Sequence, residues 1–297
     1  MVDKKIKEIE KNGYCVIKKF LPKKTVDELL KKINFHYNLN KNRKYNGVPP
    51  RDSRDKILYN LQNKDYKFIK ILTNKKILKI AKYFLNDETY KFLSKEKPNF
   101  IINYFNARSS GNKLDLHIDS WIPYLGKKTH MMQFVFLLEK STENNGCTIV
   151  VKNSHRSGKN PDNKFKKLTS ISGNPGDLII WDSRLWHGTK ENINNSSRWA
   201  IVTTISAWWV KQAMDMPKSL PKNIYKKCNN LEKQLLGFCS MPPVDETKRI
   251  NTKCGYEILN KTLNIRIIKK KIFLINSFDN ILFKLNLVLT FVKKYCE

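Results

Sequence analysis

Apolar positions recur with two different periods along this chain, and the changeover falls near residue 98. Before it the spacing is helical. In "GYCVIKKFLPKKTVDELLKKI" a short strand-like run and a turn lead into Val26, Leu29, Leu30 and Ile33, which follow one another at i, i+3, i+4, i+7 on one face. Thr25 and Glu28 offer a capping box at the start of that helix, with hydroxyl and carboxylate each satisfying an end amide. "NKKILKIAKYFLND" repeats the pattern, with Asn74 as N-cap and Ile77, Ile80, Ala81 and Phe84 as the buried stripe. Between the two helices, "NLNKNRKYNGVPPRDSRDK" is polar, basic and Gly/Pro-bearing, and reads as a long loop that could act as an active-site lid.

After residue 98 the runs become short and rich in β-branched and aromatic residues. "NFIINYFNA", "LDLHID", "MMQFVFLLE", "CTIVVK", "DLIIWDS" and "RWAIVTTISAWWV" read as strands, and "TENNGC" and "GNPGD" supply the residues that tight turns require. Helices followed by at least six strands at this spacing predict a mainly β fold with flanking helices, a sandwich or barrel. Beyond about residue 222, "LEKQLLGFCSMPPVDETK" reads as helix then loop. "KKKIFLINSFDNILFKLNLVLTFVKKY" mixes apolar residues with Asn, Asp and Lys. It is read as a helix packed on the core, with an interfacial helix on an anionic membrane surface as the alternative.

Composition narrows the class more than the chemistry. At 40% hydrophobic and 28% charged, the 297 residues can fill a packed core, and no run approaches the length of a membrane-spanning helix. The first residues are charged and carry no apolar leader, so a cytoplasmic setting with reduced thiols is expected. The six cysteines are scattered, without a Cys-x-x-Cys pair, which argues against a zinc ribbon or a disulfide framework. The formal charge is +31, and of 57 basic residues only nine are arginine. A nucleic-acid reader would concentrate arginine for bidentate contacts. Lysines here run the whole length, which leaves drift in codon composition and a preference for anionic partners as competing explanations. No stable nucleic-acid partner is expected.

One local pattern points to chemistry. His117 and Asp119 lie two apart in the strand-like "KLDLHIDSWIP", so both side chains emerge on one face. A metal held there needs a third ligand from a neighbouring strand. His187, closing "PGDLIIWDSRLWHG", is the leading candidate, with His130 and His155 as the others. Two His and one carboxylate leave open positions and suit non-haem ferrous oxygenases, whereas structural zinc would be closed by a fourth ligand. Arg198 opens the apolar run "RWAIVTTISAWWV", where a guanidinium is costly unless an anion or solvent meets it. A bidentate clamp on a carboxylate, with the Thr189 hydroxyl as second donor, is the functional reading.

Taken in order, "GYCVIKKFLPKKTVDELL", "HID", "TENNGCTIVVKNSHRSG", "PGDLIIWDSRLWHG" and "RWAIV" resemble the phytanoyl-CoA dioxygenase type of iron(II)/2-oxoglutarate dioxygenase, from about Gly13 to Ala213. The resemblance implies a double-stranded β-helix core, jelly-roll and cupin-like. It implies His117, Asp119 and His187 as iron ligands, Arg198 and Thr189 on the 2-oxoglutarate carboxylate, and Gln133 lining the cosubstrate pocket. The cofactor set it implies is Fe(II), 2-oxoglutarate and O₂, with ascorbate stimulatory. The implied reaction is hydroxylation of a small-molecule or carrier- or CoA-linked, anionic metabolite, releasing succinate and CO₂. An acid at position 119 disfavours halogenation, for which relatives carry a small residue there. The alternatives are the same chemistry on nucleic acid or protein, or a non-catalytic basic protein binding nucleic acid or a membrane surface. Residues 1–221 would form the dioxygenase domain, helical over 1–97 and jelly-roll over 98–221, with 222–297 a basic C-terminal extension. Where the family usually carries Pro-Gly before Ser-His, this chain has Lys152 and Asn153.

Overall fold

The structure, a computed structural model, describes residues 2–40, 55–88, 97–162, 164–165, 167–241 and 247. The bulk of the lid-like loop and the apolar C-terminal segment lie outside the described residues. Helices α1 (Val2–Asn12), α2 (Lys23–Asn40), α3 (Tyr66–Leu72) and α4 (Lys75–Leu85) precede most of the strands. Strands β1 (Tyr14–Ile17) and β2 (Lys56–Tyr59) are interleaved with them. The rest are β3 (Phe100–Ser109), β4 (Leu114–His117), β5 (Met131–Leu137), β6 (Thr148–Val150), β7 (Thr169–Ile171), β8 (Leu178–Asp182), β9 (His187–Thr189) and β10 (Ala200–Ala207). Short helices α5 (Met216–Ser219), α6 (Lys222–Tyr225) and α7 (Asn230–Leu235) follow.

Two antiparallel sheets result, one of six strands in the order β1-β8-β5-β10-β3-β2 and one of four, β4-β9-β6-β7. This is the jelly-roll arrangement, in which neighbouring strands alternate between the sheets along the chain. Alternation along the large sheet separates two apolar layers. Phe134, Phe136, Ile180, Ile201 and Phe105 point outward and pack with Leu29, Ile33, Ile77 and Ile80 of the helices. Val135, Leu137, Ile179, Trp181 and Ala200 point inward, against Val150 and Ile171 of the small sheet. Each buried Val, Leu, Ile or Phe among these contributes about 1.5–3 kcal/mol of transfer free energy. Ile224, Leu235, Leu236 and Phe238 join the helix-side core.

Asn74 caps α4 by accepting from the Lys76 amide at 2.9 Å. The Thr25–Glu28 box does not form. The helix starts at Lys23, ahead of Thr25, with the Val26 amide donating to the Pro22 carbonyl. Glu28 instead reaches Lys67 of α3 at 2.6 Å. The run ending in His187 is two strands rather than one. A turn over Ser183–Trp186 ends β8 and sends β9 into the other sheet. That turn is what carries His187 across to the strand that holds His117.

Candidate metal centre

His117 and His187 are register partners on β4 and β9, with ring centroids 4.1 Å apart. An irregularity between Leu114 and His117 bends β4 just before the histidine. Such a bulge re-aims the side chain that follows it. Asp119 lies just past the strand, and the amides of Asp119 and Ser120 both donate to the Ser183 carbonyl, at 2.8 and 3.1 Å. The turn that delivers His187 therefore also clips the Asp119 segment in place.

The donor atoms of His117, Asp119 and His187 all lie within 4.8 Å of one another. Each imidazole has its Nδ1 on a carbonyl, His117 on Asp115 at 3.0 Å and His187 on Leu185 at 2.9 Å. A carbonyl only accepts, so Nδ1 carries the proton in both rings and Nε2 is the ligand atom. Nε2 of His187 is 3.1 Å from Asp119 Oδ2, and Nε2 of His117 is 3.7 Å from Oδ1. The Trp181 indole donates to Oδ2 at 3.4 Å. Burial works against ionising Asp119, but His187, His117 and Trp181 outweigh it and hold its pKa down to about 2. The His187 pKa is opposed by burial yet raised overall by the Asp119 carboxylate. Burial, with His187 beside it, lowers that of His117. The donor set thus fits a divalent metal: two oriented imidazoles, one ionised carboxylate, and one side (His117, 35% exposed) open to incoming ligands.

The other candidates fall into different places. His155 is buried and its Nε2 contacts the Glu10 carbonyl at 3.2 Å, while His130 stacks near Tyr124, ring centroids 4.8 Å apart. Neither belongs to the cluster. Thr189 shares the β9 face of His187, its hydroxyl 3.4 Å from the Asn112 carbonyl. Gln133 is buried opposite Trp181 on the inner face, accepting from the Thr204 hydroxyl at 3.0 Å. Arg198 lies just ahead of β10. Its amide donates to Ser109 Oγ at 3.0 Å and its Nε to the Ser110 carbonyl at 3.3 Å. Among the described residues no carboxylate is within ion-pair distance of it, and burial lowers its pKa to about 10. Gly146, at φ +87°, gives Arg198 its room: a Cβ there would lie 3.0 Å from Nε.

Trp181, buried on the inner face of β8, brings its indole nitrogen to a metal-ligand candidate. Arg108, which sequence reasoning passed over, sits on the inner face of β3 opposite Ala200. An arginine in an apolar strand was the available signal. The segment after Asp119 presents Trp121, Ile122 and Leu125, all largely exposed. Arg184 braces that segment, donating to the Gly126 carbonyl at 2.7 Å and lying 4.8 Å from the Tyr124 ring centre.

A jelly-roll with two His and one carboxylate converging from adjacent strands is the framework of a non-haem iron enzyme. The chain belongs to the phytanoyl-CoA dioxygenase (PhyH) family of iron(II)- and 2-oxoglutarate-dependent enzymes, whose family model matches residues 9–200. Among curated relatives, uncharacterized protein Rv1501 of Mycobacterium tuberculosis is 27% identical over 111 residues, 37% of this chain and 41% of that protein. Dioxygenase af480 of Aspergillus fumigatus is 26% identical over 176 residues, 57% of this chain and 54% of that one. The chain thus spans about half or less of the length of these relatives. Among solved structures, HygX from Streptomyces hygroscopicus, with nickel and 2-oxoglutarate bound, shares the fold at TM-score 0.53 and 15% identity, over 70% of this chain and 88% of that one. The 2-oxoglutarate-dependent epimerase SnoN from nogalamycin biosynthesis does so at 0.53 and 15%, over 69% and 82%.

Proposed function

We propose that the protein is a 2-oxoglutarate-dependent hydroxylase of a small or carrier- or CoA-linked, anionic metabolite, with His117, Asp119 and His187 as its iron ligands. The observation that carries this reading is the convergence of two Nε2 atoms and one carboxylate within 4.8 Å, both rings fixed by Nδ1 bonds to carbonyls. Bound iron(II), with 2-oxoglutarate and O₂, supplies the oxidising chemistry and releases succinate and CO₂. Around it the chain's residues orient and exclude water. Arg198, without an ion-pair partner among the described residues, holds the distal carboxylate of 2-oxoglutarate, and Thr189 adds a donor. Gln133 borders the same pocket. Trp181 steadies the Asp119 carboxylate and walls one side of the site with an apolar ring. The charge of +31 supports an anionic substrate.

Succinate formed from 2-oxoglutarate under air, with Fe(II) and ascorbate, tests the reading. Turnover should require iron and fall to background in Asp119→Ala and Arg198→Ala. Full succinate formation by Asp119→Ala would overturn the ligand assignment.

A further inference from the structure

We propose that Asn106 and Arg108 form a second oxyanion subsite in the cleft, separate from Arg198, which takes the carboxylate or phosphoryl group of the substrate to be oxidised. The proposal rests on the metal reading given above. It begins with register. Arg108 lies opposite Ala200 and Asn106 opposite Val202, and Tyr104 lies opposite Thr204. Side chains opposite one another in an antiparallel pair share a face. Ala200 and Val202 belong to the inner apolar layer. Asn106, Arg108 and Tyr104 therefore line the interior, on the sheet that faces the metal cluster.

Both polar residues hold donors that no described residue accepts from. Asn106 is 1% exposed; its Oδ1 accepts from the Asn60 amide at 3.3 Å, and its buried Nδ2 has no partner among the described residues. That bond to Asn60 fixes which end of the amide is which. The Arg108 Nη2 donates to the Tyr104 hydroxyl at 3.0 Å, so the guanidinium lies back along β3 toward the Asn106 side. Its Nε is buried and, among the described residues, has neither a hydrogen-bond partner nor a carboxylate in ion-pair reach. Folded chains almost always satisfy buried donors, and a buried cation is costly without an anion. Two orphan donors at i and i+2 on one face, one of them charged, ask for a ligand that only accepts and carries negative charge.

Position separates this pair from the Arg198 clamp. The Arg108 guanidinium reaches back along β3 to the Tyr104 hydroxyl, whereas that of Arg198 turns the other way, to the Ser110 carbonyl and Gly146. The distal carboxylate of 2-oxoglutarate has Arg198, and its keto-acid end belongs to the metal. The anion left for Arg108 is the one on the substrate. A guanidinium on this inner face would fix the distance between that anion and the carbon to be oxidised.

The test uses methylphosphonate as probe, with ¹³C-acetate in a parallel arm to separate phosphoryl from carboxylate preference. Protein is loaded anaerobically with Mn(II) and saturating 2-oxoglutarate, and paramagnetic relaxation of the probe nucleus is titrated. At least one probe should show saturable enhancement, weakened tenfold or more in Arg108→Leu and several-fold in Asn106→Ala. The 2-oxoglutarate affinity of both variants should stay within twofold of the parent. Should Arg108→Leu fail to fold, Arg108→Lys must weaken the probe at least threefold on the same terms. Absence of enhancement, or enhancement indifferent to Arg108, overturns the proposal. An equal loss of 2-oxoglutarate affinity also overturns it, by giving the arginine to the cosubstrate. Failure of the parent protein to take up Mn(II) and 2-oxoglutarate would instead bring down the metal reading itself, and this subsite with it.

Discussion

His117 and His187 face each other across β4 and β9 because Gly188 allows the strands to close. A Cβ at position 188 would lie 2.4 Å from the Leu114 carbonyl and 3.2 Å from that of Asp115, the same carbonyl that accepts from His117 Nδ1. These are backbone atoms, so the strand itself must move. Gly188→Ala should therefore destabilise the fold by about 1–3 kcal/mol and separate the two histidines. Metal affinity should fall at least about tenfold. Calorimetric metal titration with thermal melts checks this; unchanged affinity would mean that strand closure does not set the site.

Trp181 acts on the metal through Asp119. Trp181→Phe keeps the apolar wall but removes the indole donor held at 3.4 Å from Oδ2. Metal affinity should drop about tenfold, the low end for a group that orients a ligand. The far-ultraviolet spectrum should stay unchanged.

The proposed clamp gives a graded expectation. Truncating one partner of a buried charge pair costs about 2–5 kcal/mol. Arg198→Ala should weaken 2-oxoglutarate accordingly, by a factor of about 30 or more. Arg198→Lys should recover part of it, since lysine restores the charge without the bidentate fork. Binding isotherms of the three proteins should rank in that order, with metal affinity held constant.

Away from the site, Asp177 ties the turn after β1 to the turn before β8. It accepts from the Lys19 and Asn174 amides, both at 2.9 Å, and from Lys18 Nζ at 3.0 Å. Burial opposes its ionisation, but these bonds prevail and its pKa is lowered. Its folded pKa is below the unfolded one, so its stabilisation is present above about pH 4 and lost as pH falls through the folded pKa. Asp177→Asn should cost about 2 kcal/mol near neutrality and progressively less on acidification. Denaturant melts at several pH values would show the two proteins converging; a constant gap would refute the linkage.

Much of this architecture is legible in the amino-acid order. The stripe over Ile77–Phe84 carries a strong periodic signal, the strands around Phe134 and Ile201 are long apolar runs, and the i, i+2 spacing of His117 and Asp119 at the end of β4 places the two together. The rest is hidden for physical reasons. β7 and β9 span three residues each, too few for alternation to be visible. The Ser183–Trp186 turn is itself buried, so its apolar Leu185 and Trp186 mimic a continuing strand. Asn106 and Arg108 carry a signal of the same kind as Arg198, a polar group at inward positions of an apolar strand. It becomes readable only once register shows which face is inward.

On this reading one site binds a divalent metal and, through that metal, 2-oxoglutarate. Anaerobic titration of 2-oxoglutarate with and without Fe(II), on the parent protein and on His187→Ala, tests it most directly. The expected result is tight binding only with iron, abolished in His187→Ala while the fold persists. Binding of equal strength without iron, or undiminished in His187→Ala, would contradict the claim.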